Sequence, residues 1–506
     1  MKPNFIFSCF LFFTSTFILA QECEIKGKLI NSKGEPIPFA AIYIADLGKS
    51  AMANELGEFN IQGNCQTYVV KFQSLGYQSN ELKINFQEKK LHKIKLKQVA
   101  YQLQEVNITP GKEDPAYNII RKATVMAEFY KHQIEAYTAK LYLRNTFDFK
   151  SFPWLLKKML TEEELDYILS GNVEESVVEY SFRKPNTIKK VLIASKDSKD
   201  SNAMGSGADY INLNFYNLGG SGVVNPLSRG AFHFYKFEYQ HSFYQGSLKV
   251  HKIKIIPRRN GNDLMHGDIY INDGIWNINQ VNVILEQDLA EIQYKQIYQE
   301  VEELVWMPVN HQIKALAKFM GLEVDMLYLA TLKNITVETN EEIDQKIRAS
   351  ISTSLEEELK DEENAAAPQL QKNEAVSKSK NQKEIDKLIQ KEELNNRETF
   401  KLIRLIQKEE KRSKADSLTN YELQRNYTFR RKDTLYTNKD SIWEVDRSIP
   451  LTQTEEEIYA KNDSLKSSPF DTNFESDSAK SAFSKILNKT FFNKRSIYTK
   501  ERRVSF

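Results

Sequence analysis

Four residues, His132-Gln133-Ile134-Glu135, have a spacing from which a zinc site can be started, and His251 is far enough along the chain to bring a third ligand from another element. Such a centre would hydrolyse. The context argues against it, because His132 falls at the frayed end of the helix that Asp114 should start, and a solvent-facing histidine is the favoured reading. The chain has no His-Glu-x-x-His run, no Gly-x-Ser-x-Gly elbow and no glycine loop for phosphate. Gly219-Gly220-Ser221-Gly222 precedes no helix with a lysine and reads as a loop. The expectation is therefore no enzyme: no catalytic residue, no metal ligand and no cofactor.

A second set of residues could bind rather than react. Phe232, Phe234, Phe237, Tyr239, Phe243 and Tyr244 crowd one stretch, and Arg258-Arg259 stands at a strand end before Asn260-Gly261. Aromatic strands are usually core, and paired arginines at a turn are usually solvated. The alternative is an acyl or carbohydrate groove with a cationic lip, for which Phe232, Phe234, Tyr239, Phe243, Arg258 and Arg259 are the candidates.

Elements must hold these residues in place. From Glu174 to Ile335 the chain reads as strand after strand, including Ala231 to Tyr244, Leu248 to Pro257 and Leu322 to Ile335. Asn272-Asp273-Gly274 is a hairpin signal. Upstream, Asp114 can cap a helix and Pro115 suits its first turn. Ile119, Ile120, Ala123, Met126, Ala127 and Tyr130 then recur at helical spacing, so one face is buried. A shorter helix is expected between Pro153 and Leu169. This is an α+β arrangement, a large antiparallel sheet with one or two packed helices, over residues 113–340.

Ahead of it, residues 24–98 alternate in short strands with glycine and proline punctuation: Gly27, then Gly34-Glu35-Pro36-Ile37-Pro38-Phe39-Ala40, Asn54-Glu55-Leu56-Gly57-Glu58-Phe59, and Ser74-Leu75-Gly76-Tyr77. That pattern is an all-β sandwich. Behind the sheet, residues 341–425 are charged and read as a flexible or helical arm, and within it residues 345–425 are expected to be the most protease-sensitive part, except for Lys383 to Lys411. Residues 426–506 show little periodicity and read as irregular.

Lys2 and the apolar run Phe5 to Leu19 form a secretory signal ending near Ala20. No later run is apolar and long enough for a membrane helix. Lys+Arg 70 against Asp+Glu 68 leaves a net charge of +2, which argues against nucleic acid as a partner. In an oxidising compartment Cys23 and Cys65 can bridge; two free thiols are the alternative.

The motif string from Gly27 to Tyr77 resembles the carboxypeptidase-regulatory-like domain, a seven-stranded transthyretin-like sandwich that is an accessory module without chemistry of its own. Downstream, Glu113-Asp114-Pro115-Ala116-Tyr117, Tyr180-Ser181-Phe182-Arg183-Lys184-Pro185, Gly267-Asp268-Ile269-Tyr270-Ile271, Val305-Trp306-Met307-Pro308 and Arg447-Ser448-Ile449-Pro450-Leu451-Thr452 resemble a family of Gram-negative outer-membrane proteins of unknown function. In that family the chain usually continues into a membrane β-barrel, whereas the residues after Phe470 are expected to be too few for one. The sheet also resembles the half-barrel of periplasmic lipoprotein-localisation factors. These resemblances imply a non-catalytic binding or scaffolding protein of the periplasm or outer membrane, peripherally attached at most. Its partner would be an envelope protein, glycan or lipid. The alternative is a carrier for acyl chains or lipoproteins, with a zinc hydrolase behind both.

Overall fold

The structure, a computed structural model, describes residues 22–88, 90–98, 113–158, 161–185, 187–198, 214–218, 223–228, 230–319, 321–351, 426–431 and 440–466, with scattered positions between 384 and 405. Residues 1–20, read above as a secretory signal, the linker around Pro110-Gly111, the Gly219–Gly222 run, most of 352–425 and the tail beyond 466 lie outside these residues.

Seven strands build the N-terminal sandwich: β1 (Glu22–Ile30), β2 (Ala41–Ile44), β3 (Lys49–Met52), β4 (Glu58–Asn64), β5 (Thr67–Gln73), β6 (Asn80–Asn85) and β7 (His92–Lys95). One sheet has the order β4-β1-β7 and the other runs β3-β2-β5-β6. The alternation seen in sequence places Phe59, Ile61, Tyr68, Val70 and Phe72 in the core between them. Two turns share one design. Asn31 Oδ1 accepts from the backbone N–H of Lys33 and Glu35, and Asn54 Oδ1 from those of Leu56 and Glu58. Gly27 opens the motif string because a Cβ there would stand 2.5 Å from the His92 carbonyl and from the Phe59 ring.

Cys23 and Cys65 form a disulfide across the end of the β1–β4 pair, with Cα atoms 5.0 Å apart. Serine at both positions should lower stability by about 4 kcal/mol for the 42-residue separation. Urea denaturation with and without reductant measures this; a midpoint indifferent to reductant would show that the bridge contributes nothing.

The second body is one curled antiparallel sheet. A meander of β11 (Tyr235–Gln245), β12 (Leu248–Pro257), β13 (Met265–Asn272), β14 (Ile278–Gln287), β15 (Ala290–Glu302), β16 (Val305–Phe319) and β17 (Leu322–Thr339) runs edge to edge. Beyond β17 come β8 (Ile134–Ser151), β9 (Asn172–Arg183) and β10 (Thr187–Asp197). β18 (Asn426–Arg431) lies parallel on the edge of β10. Helix α1 (Pro115–Gln133) packs across β11–β14. Its buried residues Ile119, Ile120, Ala123, Met126 and Tyr130 meet Phe237, Ile253, Ile269 and Val281 in the largest core.

The start of α1 is fixed twice. Asp114 accepts from its own helix at Ala116 N (2.8 Å) and from the sheet at Tyr239 N (3.1 Å). Arg121, one of the most buried charges, pairs bidentately with Glu113 and lies 5.5 Å above the Phe232 ring. The Glu113-Asp114-Pro115 string is thus a helix-docking device.

The sandwich is not a separate bead. β3 joins the large sheet beside β17, where Lys49 opposes Lys333. Ser50 Oγ donates to the Leu332 carbonyl and Asn310 Nδ2 to that of Ala51. A buried chain of side-chain amides, Gln299–Gln73–Asn279–Asn272–Asn277, crosses from β15 through β5 of the sandwich into the β13–β14 turn.

Three sequence expectations change. Ala231–Phe234 is a helical turn, not strand, and β11 begins only at Tyr235. Residues 341–351 are helical and bury Ile343 and Ile347 in the α1 core, so the charged stretch starts as part of the folded body. Leu388 and Leu402 join the same core. In the stretch expected to be irregular, residues 440–446 and 453–466 form helices. Their order comes from tertiary partners, described next, rather than from periodicity.

Candidate functional site

The proposed groove residues do not converge. Phe232 stacks on Tyr117 at 5.8 Å, and Phe237 meets both rings edge-on. Tyr235, Phe237 and Phe232 are 0%, 1% and 8% exposed, so this aromatic set fills the space under α1 instead of lining a channel. Arg258 Nε donates to the Phe232 and Tyr235 carbonyls, and its Nη2 to the Tyr117 hydroxyl. It clamps the helical turn onto α1. Arg259 pairs with Asp263 and lies over Phe234. Phe243 packs edge-on against Tyr270, away from Phe232.

Tyr239 belongs to a different group at the N-terminal end of α1. His251 Nε2 is 3.2 Å from Asp273 Oδ1, and its Nδ1 is 3.3 Å from the Tyr239 hydroxyl. The Asp273 carboxylate and the Tyr239 hydroxyl thus flank the two ring nitrogens of His251. Burial raises the Asp273 pKa, but the bond and charge of His251 and the charge of Lys249 bring it below the ordinary value. The His251 and Trp276 rings are parallel, and the Lys122 ammonium lies 4.5 Å from the Trp276 ring centre. Trp276 itself has φ +53°, a strained backbone for a bulky residue, held by its N–H to the Asn272 carbonyl. The zinc-spaced residues are separated from this group. The Glu135 carboxylate accepts from Asn340 and faces Lys184 at 3.6 Å, while Lys184 also donates to the His132 carbonyl. Among the described residues no three His, Cys, Asp or Glu side chains gather as metal ligands.

A heavily charged site lies on the other face of the sheet. Along β8, Ala139, Leu141 and Leu143 face one apolar core, and Lys140, Tyr142 and Arg144 point the opposite way. Sequence alone assigns such polar alternates to solvent. Here residues 440–466 cover them, with Trp443 and Ile449 buried against Tyr142 and Val177. Glu175 of β9, with a side chain 0% exposed, accepts from Arg447 at 2.8 and 2.7 Å, from Tyr459 at 3.1 Å and from the Tyr142 hydroxyl. Arg144 Nε stands 3.3 Å from Glu455, and its Nη1 donates to the Pro450 carbonyl. Thr452 and Glu455 bond reciprocally at the start of the Gln453–Lys466 helix, a capping box. The Arg447–Thr452 string is therefore the latch of this segment.

Beside the latch is a cavity of about 200 Å³, walled by β3 and β4 of the sandwich, β8 and β17 of the large sheet, and residues 445–448. Lys140 Nζ bonds Asp446 at 2.6 Å, and Lys333 Nζ bonds the Asp446 carbonyl at 2.8 Å. Sequence reading missed this site because its residues come from five separate segments of the chain.

Solved structures with a related outline share little with this chain. A DUF1329 family protein from Desulfovibrio piger is 9% identical over 45% of this chain and 94% of its own, with a TM-score of 0.20. A LolA superfamily protein from Nitrosomonas europaea is 7% identical over 45% and 95%, with a TM-score of 0.16. Likeness at that level supports no statement about this protein. No curated protein matches it. Two family matches are specific and fall on the two bodies just described. Residues 25–108 match the CarboxypepD_reg-like domain, and residues 119–335 a family of unknown function, DUF5686. The two matches thus divide as the fold does, a CarboxypepD_reg-like stretch on the sandwich and a DUF5686 stretch on the large sheet.

Proposed function

We propose that this protein is a non-catalytic binding or scaffolding component of the cell envelope. The observation that carries the reading is the filled interior: Tyr117, Phe232, Tyr235 and Phe237 occupy the space that a carrier would keep open for an acyl chain. The sandwich, bonded into the large sheet through β3, extends the surface that this body offers to a partner. The Cys23–Cys65 bridge fits an oxidising compartment outside the cytoplasm. Among the described residues no helix is long and apolar enough to cross a membrane.

Titration with a fluorescent fatty-acid analogue tests the reading. The purified protein should show no saturable rise in fluorescence. One saturable site per chain, displaced by unlabelled fatty acid, would establish a carrier instead.

A further inference from the structure

One end of the large sheet holds apolar side chains out in water. β8 closes there with Ser151, and the chain goes on through Phe152 and Pro153 into a short helix, α2 (Trp154–Lys157). Ser151 Oγ donates to the Gly321 carbonyl, and a Cβ on Gly321 would stand 3.8 Å from Pro153, so this turn sits against the β16–β17 hairpin. That hairpin is bonded in turn to the β14–β15 hairpin, where the Lys318 N–H donates to the Leu289 carbonyl. Trp154 is 68% exposed and Leu289 37%. The other tryptophans are covered: Trp306 and Trp443 are buried, and Trp276 is half-buried.

A tryptophan has a large apolar area to bury and one N–H to keep wet. Here the backbone fixes it in solvent, through bonds from the Lys157 N–H to the Pro153 carbonyl and from the Lys158 N–H to the Trp154 carbonyl. The Lys158 ammonium lies 5.0 Å from the Trp154 ring centre, and Lys157 is exposed and makes no ion pair among the described residues. The other lysines of these turns are already matched, Lys150 by Asp148 and Lys318 by Glu323. The next helix, α3 (Glu162–Leu169), exposes Glu162 and Asp166. Cations and carboxylates thus follow one projecting aromatic closely in the chain. That pairing of signs complements a zwitterionic head group, lysine to phosphate and carboxylate to the cationic end. An indole, apolar in body and polar at its N–H, suits the boundary between head groups and acyl chains.

We propose that this end of the sheet seats on a phospholipid surface, with Trp154 entering the head-group layer and Lys157 and Lys158 lying at lipid phosphates. Shape favours lipid over a protein partner. The apolar exposure is divided between two turns at the end of a sheet, whereas protein hot spots gather in one packed centre. A plane needs only the tips. The contact is shallow and reversible, because one aromatic and a few charges anchor weakly. It deepens the scaffold reading and rests on its placement in the envelope; vesicle binding can fail while the fatty-acid titration still excludes a carrier, so the two are tested apart.

Intrinsic fluorescence of the intact protein with phosphatidylcholine vesicles is the test, because Trp154 is the most exposed of the four tryptophans. Vesicles should shift the emission to the blue, and vesicles with brominated acyl chains should quench it. Trp154→Ser should abolish both effects and weaken flotation with vesicles by about ten-fold, the order expected for keeping one large aromatic in water. Lys157→Gln combined with Lys158→Gln should weaken it less, by about two- to five-fold. Leu91→Ser, which removes an apolar side chain 66% exposed in the sandwich, should leave flotation unchanged. The proposal is overturned if vesicles cause neither shift nor quenching, or if Trp154→Ser floats as the parent chain does. Self-association that depends on Trp154, seen by light scattering without vesicle binding, would assign this end to a protein contact and overturn it as well.

Discussion

Replacing Arg447 with methionine should destabilise the protein by about 3–5 kcal/mol at pH 7, because it leaves the Glu175 carboxylate charged, buried and without its cation. The sign of the pH dependence should also invert. In the native protein burial pushes the Glu175 pKa up, but the bonds and charge of Arg447, the charge of Arg144 and the Tyr142 hydroxyl outweigh it and hold the pKa below the ordinary value. A depressed carboxylate contributes stability above its unfolded pKa of about 4.3, and that stability is lost as pH falls through the folded pKa. Without Arg447, burial prevails and the folded pKa rises above the unfolded one. The penalty of Arg447→Met should then be largest at pH 7 and shrink toward pH 5. Urea titrations at the two pH values measure it. Glu175→Gln in the same chain should recover part of the loss, since the buried carboxylate that lost its Arg447 partner is gone. A deficit equal at both pH values would show that Glu175 is not the group left exposed to burial.

Phe237→Ala should remove about 3–5 kcal/mol as well, by a different route. Phe237 is 1% exposed and touches Tyr117, Phe232 and Tyr235, so its deletion leaves a cavity beneath α1 that these rings cannot close. Such a cavity is apolar and dry, and it should bind a small aromatic such as benzene. Benzene should therefore raise the Tm of the variant and leave the parent unchanged. A loss below about 1 kcal/mol with no effect of benzene would mean that the interior is loosely filled, and the argument against an acyl carrier would fall with it.

Local chemistry was legible wherever one string of residues sufficed to specify it. The turns at Asn31 and Asn54, the start of α1 at Asp114-Pro115, its buried face and the meander from β11 to β17 could all be read from spacing. The helical turn Ala231–Phe234 could not, because four residues without a cap carry no period, and Arg258, far along the chain, holds it. The same limit hid the charged face of β8. Lys140, Tyr142 and Arg144 alternate with apolar residues as a solvated face would, and nothing local tells that Asp446, Glu175 and Glu455 meet them. The aromatic string was read correctly as dense and apolar, but whether it fills or lines a space depends on α1, which the strand does not encode. Joining the sandwich to the sheet through β3 was likewise unreadable, since β3 is four residues long and reads only as part of its own module.

The latch has a further consequence, for the order in which the molecule can be finished. Glu175 and Arg447 are 272 residues apart, so in a chain delivered N-terminus first the glutamate arrives before the arginine. During that interval β8 and β9 can pair, yet Tyr142, Arg144 and Glu175 lie bare on one face, wet and unable to settle. The nascent sheet is thereby kept hydrated on that side until its own cover arrives. Consolidation waits on residues 440–466, and a chain interrupted before them would emerge with its strands formed and that face open to water and to chaperones.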